Sequence, residues 1–281
     1  MESWLSRVSN PYLSGRFAPV FEERDEAELV VEGELPRALR GTYMRNGPNP
    51  QFQPIAEYHP FDGDGMVHAV ELGAGGARYF NRWVLSRGLQ RERELGRAVY
   101  TGLGEMRLPD PDTVAGAGMF KNVANIGVLQ HGGRLLALFE GGPPTELDAR
   151  LGTHGLHTWG GRVKGAFTAH PKVDAADGYL YAFGSSPLPP FLTYFVVDTD
   201  GELVHSEQVP VDDACWMHDF AITEQDAVFF FLPAVYRIME GFAGTGSPLQ
   251  WHPERGAQIA VMPREGGARE LRLFDIEPCM V

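Results

Sequence analysis

The chain has 281 residues, enough for one large domain or two ordinary ones with a sizeable buried core. Its formal net charge is −13, from 37 acidic against 24 basic side chains, and no basic patch is interleaved with aromatics, so nucleic acid is not an expected partner. Two distant cysteines make no disulfide framework, no apolar run reaches the roughly 18 residues of a membrane span, and Met1 to Tyr12 lack the apolar core of a secretory signal; a cytoplasmic enzyme is expected, with attachment at a membrane surface left open.

The 34 glycines and 21 prolines are spread along the whole chain, which implies many turns and no single tail. Helical periodicity is weak. Short apolar, β-branched and aromatic runs predict strands at Leu29–Val31, Gly41–Arg45, Met66–Leu72, Ala77–Leu85, Asn122–Leu129 and Arg134–Phe139. Thr145–His157 reads as a short helix or long loop. Further strands are predicted at Tyr179–Phe183, Leu192–Val197, Glu202–Val209, Trp216–Thr223, Ala227–Leu232 and Gln258–Met262. Tyr236–Gly246 reads as a lid or insertion, and Phe231–Phe242 is a candidate tunnel wall or membrane-dipping segment for a lipophilic ligand. Gly132-Gly133 and Asp200-Gly201 are hairpin signals. Many short antiparallel strands at regular spacing mean an all-β sandwich, barrel or propeller.

Two histidines stand out. His170 lies in Thr168-Ala169-His170-Pro171-Lys172-Val173-Asp174, and His218 in Met217-His218-Asp219-Phe220-Ala221-Ile222-Thr223. Imidazoles on separate strands are how a β-scaffold builds a transition-metal site. Their separation, 218 − 170 = 48 residues, is too wide for one helix face or a zinc-finger loop and suits neighbouring blades or hairpins. The Asp62-Gly63-Asp64-Gly65 cluster between His59 and His68 lacks the other ligands of a calcium loop and reads as a tight turn. His131, His154, His157, His205 and His252 read as surface or loop residues.

Five motifs in order give a specific resemblance. Pro11–Val20, Arg45-Asn46-Gly47-Pro48-Asn49-Pro50, Phe61–His68, Asn125 followed by Leu138-Phe139-Glu140-Gly141-Gly142, and the two histidine motifs together resemble the carotenoid cleavage oxygenase family, nearly end to end. That family also holds stilbene-cleaving oxygenases and a retinoid isomerase. The resemblance implies an all-β, seven-bladed propeller with iron(II), Fe(2+), on its axis, held by four histidines. His170 and His218 correspond to the first two ligands, and Glu140 to the first supporting carboxylate, bonded to His218. A carboxylate accepting the second ring N–H of a ligand fixes its tautomer and raises its basicity.

The expected activity is oxidative cleavage of a C=C bond by dioxygen, giving two carbonyl products from a lipophilic carotenoid or apocarotenoid. Stilbene-cleaving relatives tend to carry lysine directly before the supporting glutamate, where this chain has Phe139; lignostilbene-type cleavage is the runner-up. Ile126 corresponds to a position near the open side of the iron and discriminates little. In the family, a sequence like Glu277-Pro278-Cys279-Met280-Val281 runs on into a third histidine motif, so 1–281 is expected to be a single incomplete propeller domain, the N-terminal part, of about four blades. Rival readings are a propeller hydrolase with a divalent metal on Asp, Asn and Glu ligands, and an inactive remnant or binding module.

Overall fold

The computed structural model describes residues 2–7, 9–26, 28–73 and 76–279; Met280 and Val281, part of the C-terminal motif, lie outside them. The chain divides into two compact units. The first comprises Met1–Leu129, Leu135–Ala137 and Thr145–Leu156, and the second Gln130–Arg134, Leu138–Pro144 and His157–Val281.

In the first unit, β1 (Asp25–Glu26), β2 (Gly41–Pro48), β3 (Gly65–Gly73) and β4 (Gly76–Trp83) form an antiparallel sheet in the order β1-β4-β3-β2. Inward residues Val67, Ala69 and Phe80 pack with Ala124, Ala137, Leu147 and Leu151 in one core cluster. A helix, α1 (Arg87–Leu95), follows and has no forecast in the strand pattern. Its signals are the caps: Ser86 Oγ accepts from Leu89 N at 3.2 Å, and Gly96 closes the helix at φ 66°.

A second sheet contains β5 (Gly127–His131), β6 (Arg134–Leu138), β7 (Thr145–Leu147) and β8 (Thr153–Leu156) in sequence order. The β5–β6 turn is the expected Gly132-Gly133, both at positive φ (52° and 72°). Thr145–His157 is not a helix or a plain loop: it folds as the β7–β8 hairpin. The Asp148 carboxylate makes the turn, accepting from Arg150 N and Gly152 N at 2.8 Å each. Leu29–Val31 is likewise not a strand; Val30 is 94% exposed, so its apolar run has no core to face.

The second unit carries two further four-stranded sheets. One runs β12-β11-β10-β9, from β9 (Lys172–Val173), β10 (Leu180–Ser185), β11 (Leu192–Val197) and β12 (Leu203–Gln208), with the expected Asp200-Gly201 turn between its last two strands. The other runs β13-β14-β17-β18, from β13 (Phe220–Ile222), β14 (Asp226–Phe231), β17 (Ala257–Pro263) and β18 (Arg272–Ile276). Between β14 and β17 is an insertion: β15 (Ala234–Tyr236), α2 (Ile238–Ala243) and β16 (Leu249–Trp251), the last pairing with β15. This contains the predicted Tyr236–Gly246 insertion.

Tyr181, Phe183, Tyr194, Met217, Phe220 and Phe229 form the core of this unit. Phe183 meets Phe220 edge-on at 5.2 Å, and Phe220 stacks on Phe229 at 5.8 Å. Each buried ring contributes about 1.5–3 kcal/mol of transfer free energy. Four-stranded antiparallel sheets are the blades of a propeller, and among the described residues there are four.

Candidate metal centre

Glu140, His170 and His218 all belong to the second unit, each placed by local backbone chemistry. Glu140 follows apolar strand β6, and the chain reverses after it, with Gly142 N donating to Phe139 O at 3.3 Å. A Cβ at Gly141 would lie 2.7 Å from the far edge of the Phe139 ring, so a larger residue there would have to push that ring aside.

His170 sits on the connector that leads into β9, not within a strand as its motif suggested. Thr168 N donates to Phe183 O on β10 at 2.6 Å, and Thr168 Oγ1 accepts from His170 N at 3.0 Å. Pro171 disfavours helical backbone at His170. His218 is also on a connector, two residues before β13. Its approach is fixed by a bridge between Cys215 and Val235 and by Trp216 N donating to Ala234 O at 2.7 Å. The predicted strand over Trp216–Thr223 therefore begins only at Phe220. Connectors beside edge strands present side chains end-on, whereas strand interiors point them across the sheet.

The two rings converge. His170 Nε2 lies 3.1 Å from His218 Nε2, with ring centroids 4.5 Å apart and planes inclined at 69°. His218 Nδ1 lies 2.8 Å from Glu140 Oε2, while Trp216 Nε1 donates to Glu140 Oε1 at 3.2 Å. The hydrogen bond to Glu140 raises the His218 pKa above 6.5 against the opposing effect of burial. Burial, followed by the neighbouring charge of His218, lowers that of His170. A first proton therefore goes to His218, and a second is resisted. Beside them, burial pushes the Cys215 thiol up to about 11, which leaves it a neutral packing group.

The donor set fits a transition metal. With Nδ1–H held by a carboxylate, neutral His218 has its lone pair on Nε2, facing His170. Two neighbouring ligands, each about 2.0–2.1 Å from a shared metal, are separated by about 3 Å, which is the observed Nε2–Nε2 spacing. Among the described residues, no group of three or more His, Cys, Asp or Glu side chains is placed to hold a metal. His154 is exposed, as expected, but lies on β8, and His131 is neither loop nor surface: it ends β5, half-buried, with Nε2 bonded to Asp198 O at 2.7 Å.

Two parts of the centre escaped the sequence. One is Trp216; its signal is its position two before His218 in extended chain, which places both side chains on one face. The other is an ion pair between Lys172 Nζ and Asp219 Oδ1 at 2.7 Å, whose partners each lie within a histidine motif.

Residues 17–281 match the family model described as RPE65, retinal pigment epithelial membrane protein. Carotenoid 9,10(9',10')-cleavage dioxygenase 1 of Phaseolus vulgaris is 34% identical over 297 residues, covering 98% of this chain and 54% of that protein. The crystal structure of Pseudomonas brassicacearum lignostilbene dioxygenase superposes with a TM-score of 0.87 at 34% identity, over 95% of this chain and 56% of the other. Cobalt-substituted Synechocystis apocarotenoid oxygenase superposes with a TM-score of 0.75 at 31% identity, over 92% and 57%. The chain spans about half the length of the curated relatives it matches.

Proposed function

The chain belongs to the RPE65 family of carotenoid oxygenases, and from that premise we propose that the protein is a non-haem iron(II) dioxygenase that cleaves a C=C bond of a carotenoid or apocarotenoid. The single observation that carries this is the convergence of His170 Nε2 and His218 Nε2 to 3.1 Å, with Glu140 behind His218. His170 and His218 are two of the iron ligands, and Glu140 is their supporting carboxylate. Two imidazoles alone hold a divalent ion weakly, so tight binding requires further ligands. The cobalt-substituted relative supports a transition metal as the occupant.

Bound ferrous iron supplies the redox-active centre for adding both atoms of dioxygen across one C=C bond, with two carbonyl products and no external reductant. The chain's own groups prepare that centre. Glu140 accepts Nδ1–H of His218 and so keeps the Nε2 lone pair directed inward. Trp216, Met217, Phe230 and Leu232, with Asp219, line a small depression beside His218 whose largely apolar wall suits a lipophilic substrate.

Phe139, directly before Glu140, offers no cation to a phenolic oxygen, which favours a carotenoid or apocarotenoid substrate. A second reading, cleavage of a stilbene, is favoured by the backbone match to lignostilbene dioxygenase. Residues 1–281 are proposed as one incomplete propeller domain. A cytoplasmic location with peripheral contact to a lipid surface fits the acidic composition and the lipophilic substrate. Among the described residues, no helix is long and apolar enough to cross a membrane.

The test is iron loading followed by product analysis with apocarotenals and hydroxystilbenes. Iron content that falls in His170→Ala and His218→Ala, with paired aldehyde products from apocarotenals, is the expected result. Iron content indifferent to both histidines would overturn the metal centre, and aldehydes from stilbenes alone would select the second reading.

A further inference from the structure

We propose that Trp216 is a positioning residue of this centre, holding Glu140 so that Glu140 can hold His218. This rests on the reading of His170 and His218 as metal ligands. The geometry is a two-point clamp on one carboxylate. Oε2 faces His218 Nδ1 at 2.8 Å, and Oε1 receives the indole N–H of Trp216 at 3.2 Å. Both donors come from one extended segment, two residues apart, so they reach the carboxylate side by side. A carboxylate held at only one oxygen can swing about its terminal torsion, which is broad for Glu. Held at both, it is fixed, and so is the imidazole that leans on it.

Trp216 is itself immobilised. Its backbone N–H donates to Ala234 O at 2.7 Å, and Cys215 before it bridges to Val235. Its ring lies 5.5 Å from the His218 ring at a 32° tilt, which limits rotation of the imidazole from one side. Indole is a donor only and does not ionise, so it anchors Glu140 without competing for the proton that His218 offers. Phenylalanine at this position would supply the wall without the anchor, and an aliphatic residue neither.

The experiment uses the 281-residue chain with cobalt(II) as the sole probe, followed by visible absorption, and long-range proton–nitrogen NMR of the His218 ring in metal-free protein. In Trp216→Phe, cobalt affinity is expected to fall about tenfold, the lower end of the 10–100-fold cost of removing a supporting partner. The His218 ring is expected to lose its single Nδ1–H tautomer and give averaged nitrogen shifts. In a Glu140→Ala background, Trp216→Phe is expected to cost nothing further, because the clamp is already gone.

Equal fold-losses in both backgrounds would mean that Trp216 acts through packing, and would overturn the inference, as would parental cobalt affinity and tautomer in folded Trp216→Phe. If Trp216→Phe does not fold, Glu140→Ala decides alone: the Trp216 indole N–H signal must shift and exchange faster, and an unchanged signal overturns the clamp. Failure of the metal centre itself reads differently. His170→Ala and His218→Ala would then leave cobalt binding unaltered, while the tautomer measurement still judges Trp216.

Discussion

Lys172 and Asp219 join the two histidine-bearing connectors through a contact of 2.7 Å between Nζ and Oδ1. Lys172 lies two residues after His170, and Asp219 directly follows His218, so the bond sets the distance between the segments that carry the imidazoles. The ammonium also sits over the Phe220 ring, 5.9 Å from its centroid. Asp219 Oδ1 accepts from Phe220 N at 2.7 Å as well, which ties the pair to the start of β13.

Lys172→Met is therefore expected to affect the centre more than the fold. The two side chains are 31% and 40% exposed, so the ion pair contributes at most about 0.2–1 kcal/mol after solvent screening. Denaturant midpoints should stay near parental while cobalt affinity falls several-fold. Added salt should weaken cobalt binding to the parent more than to the variant. Parental affinity in the folded variant would show that the connectors are held without the ion pair.

Gly184→Ala tests the seat of His170 without touching any ligand. A Cβ at Gly184 would lie 2.1 Å from the Ala166 carbonyl oxygen, a backbone atom with no rotamer to yield. The connector must move, and the Thr168 N to Phe183 O bond moves with it. Overpacking of this kind costs about 1–3 kcal/mol. Urea denaturation should show that loss together with reduced cobalt affinity, and a variant matching the parent in both would contradict the placement of the connector.

The first unit has its own weak point at a buried ion network. The largely buried Lys121 ammonium bonds to Asp64 and lies 2.5 Å from Glu92 Oε2. Burial alone would lower the Lys121 pKa, but the two carboxylates outweigh it and raise the value. Glu92 also accepts from Val99 N at 2.8 Å and Tyr100 N at 3.2 Å. Lys121→Met leaves two carboxylates buried without their cation, at a cost of about 3–5 kcal/mol. The triple variant Lys121→Met, Asp64→Asn, Glu92→Gln should recover much of that in chemical denaturation. Equal instability of single and triple variants would refute the charge origin of the loss.

Glu207 predicts an acid limb in stability. Burial works to raise its carboxyl, but donors from Gly267 N at 2.6 Å and Ala268 N at 3.1 Å, with His205 beside it, bring the net value below 4.5. A depressed carboxylate contributes stability that is fully present above its unfolded value and is lost as pH falls through the folded one. Glu207→Gln should cost about 1 kcal/mol at neutral pH, as for a lost cap. Thermal melts of parent and variant should converge below pH 4.5; a constant gap across that range would assign the loss to packing.

The strands that the sequence located correctly are those with a run of apolar, β-branched or aromatic residues bounded by turn residues. β3, β10, β11 and β14 are of this kind, as are the Gly132-Gly133 and Asp200-Gly201 hairpins. Leu29–Val31 and Thr145–His157 misled, because an apolar triplet says nothing about whether a core lies opposite, and because the Asp148 turn rests on a side chain bonding its own backbone. The order of Glu140, His170 and His218, on which the proposed metal centre rests, could be read from the sequence because residue types and their order are local properties of the chain. Nothing local could bring His170 and His218 to 3.1 Å, set Trp216 and His218 on the two oxygens of Glu140, or lay Lys172 against Asp219. Those contacts join positions from 47 to 78 residues apart, and side-chain direction at such separations is set by how sheets pack, which only the tertiary structure decides.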